Sequence, residues 1–195
     1  MYKGIITPMI TPMNVKGEID YSATQVLIEK LDKYGVDGLF PMGSTGLFPM
    51  FSTEERKKFL SFVSEHSGKM QVYAGVGSSS TQESIELSKY TEDIGIKTRV
   101  LMPTYYIKPD ENWIYKHFSA VISAASNDLF IYNIPQLAGS WISEDLIEKL
   151  AREFSNVKGI KDSSGDMRFF SRIMKHKGSN FDIFQGQDDL LFLSL

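Results

Sequence analysis

Residues 128–133 read Asp128-Leu129-Phe130-Ile131-Tyr132-Asn133, and residues 156–161 read Asn156-Val157-Lys158-Gly159-Ile160-Lys161. The first run is apolar through its centre and does not alternate, as expected of a parallel strand covered on both faces. Between them, residues 144–153 form a helical stretch with Ser143 as a plausible N-cap. This is one βαβ unit, and the pattern repeats along the chain. Further strands are expected at 4–10, 37–42, 71–77, 98–103 and 181–185. Helices are expected at 21–34, 53–67, 81–94, 111–125 and 166–177. Leu27, Leu31 and Tyr34 share a face of the first, and Phe59, Phe62 and Val63 face inward on the second. Ser52 with Glu55, and Ser80 with Glu83, have the spacing of capping boxes. Gly35, Gly68 and Gly95 stand where a left-handed helix terminus is wanted.

Consecutive right-handed βαβ units build a parallel sheet, either doubly wound or closed into a barrel. The loop after the first strand, Thr11-Pro12-Met13-Asn14, has no glycine-rich dinucleotide turn, so an α/β (β/α)8 TIM barrel fits better. Such a barrel takes about 250 residues, and this chain has 195. Its last residues, Asp188 to Leu195, read as the opening of an apolar helix. The expectation is therefore one domain, 1–195, holding about seven βα units of a barrel, with strand eight and any C-terminal helices missing.

The composition excludes several function classes. The 21 basic and 24 acidic residues give a net charge of −3, without the basic surplus of a dedicated nucleic-acid binder. The absence of cysteine removes disulfide scaffolds, zinc-thiolate sites and thiol nucleophiles. No apolar run approaches the roughly 20 residues of a membrane span. Pro8 and Pro12 interrupt the short apolar N-terminus, which does not read as a signal peptide. A cytoplasmic protein is expected.

In parallel α/β folds chemistry gathers at the C-terminal ends of strands. Lys161 stands at such an end, after a buried run. A desolvated ammonium there becomes an amine nucleophile, although a lysine whose head reaches back to water fits the same position. Tyr132, one strand away, offers a phenol for proton transfer or for core packing. Gly43-Ser44-Thr45-Gly46 supplies hydroxyls and backbone N–H groups for an anion such as a carboxylate, or is an ordinary βα loop. His66, His117 and His176 fall in or beside expected helices without metal-ligand spacing, so no metal site is expected. Glu54-Glu55 and Glu92-Asp93 read as solvated helix faces.

Taken together, Thr7-Pro8, Gly43-Ser44-Thr45-Gly46, Tyr105-Tyr106, Tyr132-Asn133-Ile134-Pro135 and Gly159-Ile160-Lys161-Asp162 resemble the class I aldolase family of dihydrodipicolinate synthase and N-acetylneuraminate lyase. The resemblance runs over the whole chain. It implies a TIM barrel, usually in tetramers, in which Lys161 is the Schiff-base lysine and Tyr132 the proton-relay phenol. Tyr106 would reach into a neighbouring subunit's relay. Gly43, Ser44, Thr45 and Pro8 would line the 2-keto acid site, with Ser44 and Thr45 on its carboxylate. No cofactor is implied.

Leu47 stands where the synthase and lyase carry a glutamate, and Leu137 where the synthase carries a carboxylate-gripping arginine. Loss of a bidentate guanidinium disfavours a dicarboxylic product. The Gly-Ser-Thr-Gly-Leu form resembles the archaeal-type 2-keto-3-deoxygluconate (2-dehydro-3-deoxy-D-gluconate) aldolases of the Entner-Doudoroff pathway. The expected reaction is cleavage of that sugar acid, with its galactonate epimer, to pyruvate and glyceraldehyde. N-acetylneuraminate lyase or dihydrodipicolinate synthase activity is the alternative within the class. A non-catalytic fragment is the alternative outside it.

Overall fold

The computed structural model describes residues 2–178 and 180–194. They form a seven-stranded parallel sheet in sequential order. The strands are β1 (Ile6–Pro8), β2 (Gly38–Phe40), β3 (Gln71–Gly75), β4 (Thr98–Leu101), β5 (Asp128–Asn133), β6 (Val157–Asp162) and β7 (Asp182–Gln185). The helices are α1 (Tyr21–Lys33), α2 (Thr53–His66), α3 (Thr81–Asp93), α4 (Glu111–Ser123), α5 (Pro135–Ala138), α6 (Glu144–Glu153) and α7 (Met167–Ile173). The sheet curls as a barrel wall with helices outside, and β5 and α6 have the bounds expected for them. Residues 174–176, expected as the end of the helix at 166–177, form a 3-10 turn, and two more 3-10 turns occupy the apolar run near residue 190. The short helix α5 has no apolar period to announce it. Pro135 starts it and the left-handed Gly139 ends it.

Helix boundaries follow their caps. Ser52 and Glu55 form the full capping box. Ser80 caps α3 through Glu83 N–H, but the Glu83 carboxylate turns to the Ser78 hydroxyl instead of completing a box. Ser143 caps α6, and Asp20, Asp110 and Asp166 cap α1, α4 and α7. Gly35, Gly68 and Gly95 hold positive φ at the helix ends. Tyr34 corrects the expected face of α1: it lies exposed at the C-cap, while Ile28 and Thr24 are the buried positions.

Strand parity divides the core in two. Phe40, Tyr73, Val100, Phe130, Lys161 and Phe184 face the barrel interior. Leu129, Ile131, Ile160 and Leu101, at the intervening positions, are buried under the helices. Tyr2 closes the interior at the N-terminal face. Its ring packs edge-on against Phe130 at 5.0 Å, its hydroxyl bonds the Asp128 carboxylate, and its backbone N–H donates to Asp182 at 2.7 Å. Burial, helped by that carboxylate, raises the phenol to about 12.

Two buried guanidiniums staple the outer layer. Arg99, fully buried on β4, donates to the carbonyls of Val121, Ala125 and Asn127 at 2.8–3.0 Å. These carbonyls run from the last turn of α4 to the start of β5, where a cation is also favoured by the helix dipole. Arg56 of α2 donates to Gly75 O at 3.0 Å and stacks 4.9 Å from the Phe48 ring. Desolvation lowers each to about 10, leaving both charged at neutral pH.

His117 of α4 is buried at 1% exposure, with Nδ1 2.9 Å from Thr81 Oγ1. Desolvation lowers its pKa from 6.5 to about 4. The unfolded chain therefore binds a proton between pH 6.5 and 4 that the folded chain refuses. Stability is fully present above that window and falls as pH drops through it, by about 3 kcal/mol in all. Urea unfolding at pH 7 and pH 4 measures the loss, and His117→Gln is expected to flatten the pH dependence in that window.

Candidate active site

The register of β5 on β6 pairs Tyr132 with Lys161 and Asn133 with Asp162. Because side chains alternate, the first pair points into the barrel and the second toward the helices. The inner pair forms an aromatic box. Lys161 Nζ lies 4.1 Å from the Tyr132 ring centroid and 5.7 Å from that of Phe40, and the two rings meet edge to face. Tyr132 is 5% exposed and Lys161 is half-buried. Lys161 and Phe40 open on an interior cavity of about 340 Å³ that also touches Val100, Phe184, Gln185 and Gln187, while Tyr132 stands behind them and does not line it. One hydroxyl meets the amine: Ser163 Oγ, 2.9 Å from Lys161 Nζ.

The outer pair is a latch. Asn133, fully buried, donates from Nδ2 to Asp162 Oδ1 at 2.8 Å and accepts from Ile142 N–H at 3.3 Å. Ser164 donates its hydroxyl to Asp162 Oδ2 at 2.9 Å. Burial raises the Asp162 carboxyl above its ordinary range, and the Asn133 and Ser164 hydrogen bonds pull the other way. The latch fixes where β5 and β6 end, and so where Tyr132 and Lys161 stand.

The loop after β2 packs on the Phe40 side of this box, and none of its residues lines the cavity itself. A Cβ on Gly43 would meet the Phe40 ring at 2.9 Å, so the glycine lets the loop pack against the aromatic box. Gly46 N–H returns to Gly43 O at 3.1 Å, closing a tight turn. Ser44 Oγ is buried without a partner inside the protein, while Thr45 is exposed. A buried hydroxyl left unpaired is costly unless a ligand completes it. Pro8, at the end of β1, is half-buried in register with Phe40.

Tyr106 is not brought to this cavity. It is 95% exposed with φ of +77° and shares an outer hollow with Trp113, Pro49 and Leu137. Leu47 and Leu137 are also exposed, beside the mouth. The histidines serve structure: His66 stacks on Phe62, His117 is in the core, and His176 faces Glu144. Among the described residues no group of three His, Asp or Glu is placed to hold a metal.

The whole chain, residues 1–195, matches the family model described as the dihydrodipicolinate synthetase family. The chain belongs to that family. It is 83% identical over its full length to a DapA-like lyase of Thermoplasma acidophilum, covering 67% of that protein. It is 52% identical over 187 residues to a 2-dehydro-3-deoxy-D-gluconate/2-dehydro-3-deoxy-phosphogluconate aldolase of Picrophilus torridus, covering 96% of this chain and 70% of that one. The solved structure of a 2-keto-3-deoxygluconate aldolase from Picrophilus torridus superposes with a TM-score of 0.96 over 100% of this chain and 70% of its own. The chain thus spans about two thirds of these relatives' length, as a seven-stranded arc of their barrel. It is an enzyme of this family, a pyruvate-dependent lyase of the aldolase kind. No helix among the described residues is long and apolar enough to cross a membrane.

Sequence reading missed Phe40, Ser163 and the latch. Ser163 had a signal: two residues beyond Lys161, strand parity returns its side chain to the lysine's side. Phe40 had none beyond its place at a strand end.

Removing the Asp162 carboxylate leaves buried donors on Asn133 and Ser164 without an acceptor. Asp162→Ala is expected to destabilise the protein by about 2–3 kcal/mol, measured as the shift of the urea midpoint at pH 7. A midpoint within error of the parent's would mean that the latch does not hold the strand ends.

Proposed function

We propose that this protein is a Schiff-base aldolase that cleaves 2-keto-3-deoxygluconate, with its galactonate epimer, to pyruvate and glyceraldehyde. The observation that carries the reading is the single amine of Lys161 in an aromatic box, opposite a near-buried tyrosine and beside a turn with an unpaired buried hydroxyl. The 52% identity to a named aldolase of this substrate class supports the choice of substrate.

The chemistry follows from those groups. The Lys161 amine attacks the keto carbon, and the carbinolamine hydroxyl leaves as water with a proton supplied by the Tyr132 phenol. The protonated imine then takes up the electron pair of the bond between carbons three and four as the carbon-four hydroxyl gives its proton to the Tyr132 oxygen, which restores the phenol. Glyceraldehyde departs and an enamine remains. Protonation of its carbon and hydrolysis of the imine free pyruvate and regenerate the amine. Gly43, Ser44, Thr45 and Pro8 bound the carboxylate end of the substrate in this reading, with Ser44 Oγ as a donor whose partner is the ligand. The imine is itself the electron sink, so the scheme calls on no cofactor.

The exposed Tyr106, Ile107, Trp113 and Leu137 line one outer hollow and make an apolar patch. Contiguous apolar surface of this kind marks a protein–protein contact. We take its occupant to be a second copy of the chain, which would turn Tyr106 from solvent toward a neighbouring site within a homotetramer. The enzyme of this reading works in the cytoplasm on small 2-keto acids, with no nucleic-acid or membrane partner.

Borohydride reduction with pyruvate is expected to add one pyruvate-derived mass to the full-length protein, on Lys161. Lys161→Ala is expected to lose both label and activity. Lys158, on the same strand, has its amine on Ser155 O at 2.7 Å; a label there would overturn the assignment.

Leu47 and Leu137, both exposed and outside the Lys161 cavity, offer no charged grip to the far end of a substrate in this reading. An uncharged polyol tail is held by hydroxyls and water, whereas a second carboxylate is costly to desolvate without a guanidinium. The kcat/KM for 2-keto-3-deoxygluconate is therefore expected to exceed that for condensing pyruvate with aspartate semialdehyde by roughly 100-fold. Weak contacts also predict poor discrimination of the galactonate epimer. A preference for the semialdehyde would return the protein to the synthase branch, and Leu137→Arg is expected to move it that way.

A further inference from the structure

Ser163 is 3% exposed and is held from several directions. Its backbone N–H donates to Asn133 O at 2.8 Å, at the end of β5. Its carbonyl accepts from Gln136 Nε2 at 2.7 Å, from α5, and from Gln187 Nε2 at 3.1 Å, from the loop after β7. Three separate segments thus fix one serine, and its hydroxyl is aimed at Lys161 Nζ at 2.9 Å. Gly186 makes room for this arrangement. A Cβ there would lie 2.0 Å from Ser163 Oγ and 2.9 Å from Lys161 Nζ. Gly186 has no positive φ to require glycine, so close approach to Ser163 and Lys161 is the physical reason for its missing side chain.

We infer that Ser163 is a positioning residue for the reactive amine: its hydroxyl accepts one N–H of Lys161 and fixes rotation about the terminal C–N bond. A free lysine head has several rotamers. The two rings beside Lys161 are faces that attract a cation but set no direction for a neutral amine. The serine oxygen supplies that direction. It leaves the lone pair free to face the keto carbon, in the attack geometry that sets the rate of imine formation. The helix-side latch sets the height of the lysine backbone, and Ser163 sets the last torsion of its side chain.

The inference rests on Lys161 forming the imine, and the test separates the two. Full-length protein is mixed with pyruvate, quenched with borohydride at timed intervals, and the Lys161 adduct counted by mass. Ser163→Ala is expected to slow imine formation at saturating pyruvate by about 10-fold while leaving the pyruvate concentration for half-saturation unchanged. Ser163→Thr, which keeps the hydroxyl, is expected to restore the rate. Gly186→Ala, whose Cβ would crowd both Ser163 Oγ and Lys161 Nζ, is expected to slow the step at least as much as Ser163→Ala, and the double variant to lose less than the two losses combined, since both disturb the one Ser163–Lys161 contact.

An unchanged rate in Ser163→Ala would overturn the inference. So would a loss confined to half-saturation, which would make Ser163 a substrate contact, or additive losses in the double variant. A parent protein that gives no Lys161 adduct would bring down the aldolase reading first, and the positioning role with it.

Discussion

The register between β5 and β6 is the constraint on which the rest depends. A parallel pair slipped by one residue turns every side chain to the opposite face. Here such a slip would separate Tyr132 from Lys161 and place a buried carboxylate where the lysine should stand. The Asn133–Asp162 hydrogen bond resists it, because each partner is buried and neither finds water on leaving the other. The same two-residue period that makes the strands thus sorts their ends into an inner reactive pair and an outer structural pair.

The outer layer obeys a similar logic with charge. Arg99 and Arg56 are each taken out of water with no carboxylate bonded to the guanidinium. Backbone carbonyls serve instead, at the end of α4 for Arg99 and at the end of β3 for Arg56. Carbonyls at helix and strand ends have capacity left for such donors. A rigid fork with several donors meets several of them at once, which a lysine could not do. These staples fix the helices against the sheet, and the aromatic rings and Lys161 lie on its inner face.

Much of this was legible in the chain. The strand runs, the caps at Ser52 and Ser143, the helix-ending glycines and the strand-end position of Lys161 are local features, set by neighbours a few residues away. Tyr34 was misread because helical spacing alone ignores that a C-cap residue already lies past the packed face. The second capping box was half-formed because Ser78, outside the motif, competed for Glu83.

The sequence by itself determined the order of βα units, the family resemblance and the strand-end positions of Tyr132 and Lys161, since these follow from periodicity and adjacent residues. Only the tertiary structure decided which side chains surround the amine. Phe40, Ser163 and Gly186 come from three different strand ends, and the distances among them depend on how far the sheet curls. It also decided that Tyr106 faces outward, because a loop's direction follows from the packing of the elements at its two ends and not from its own residues.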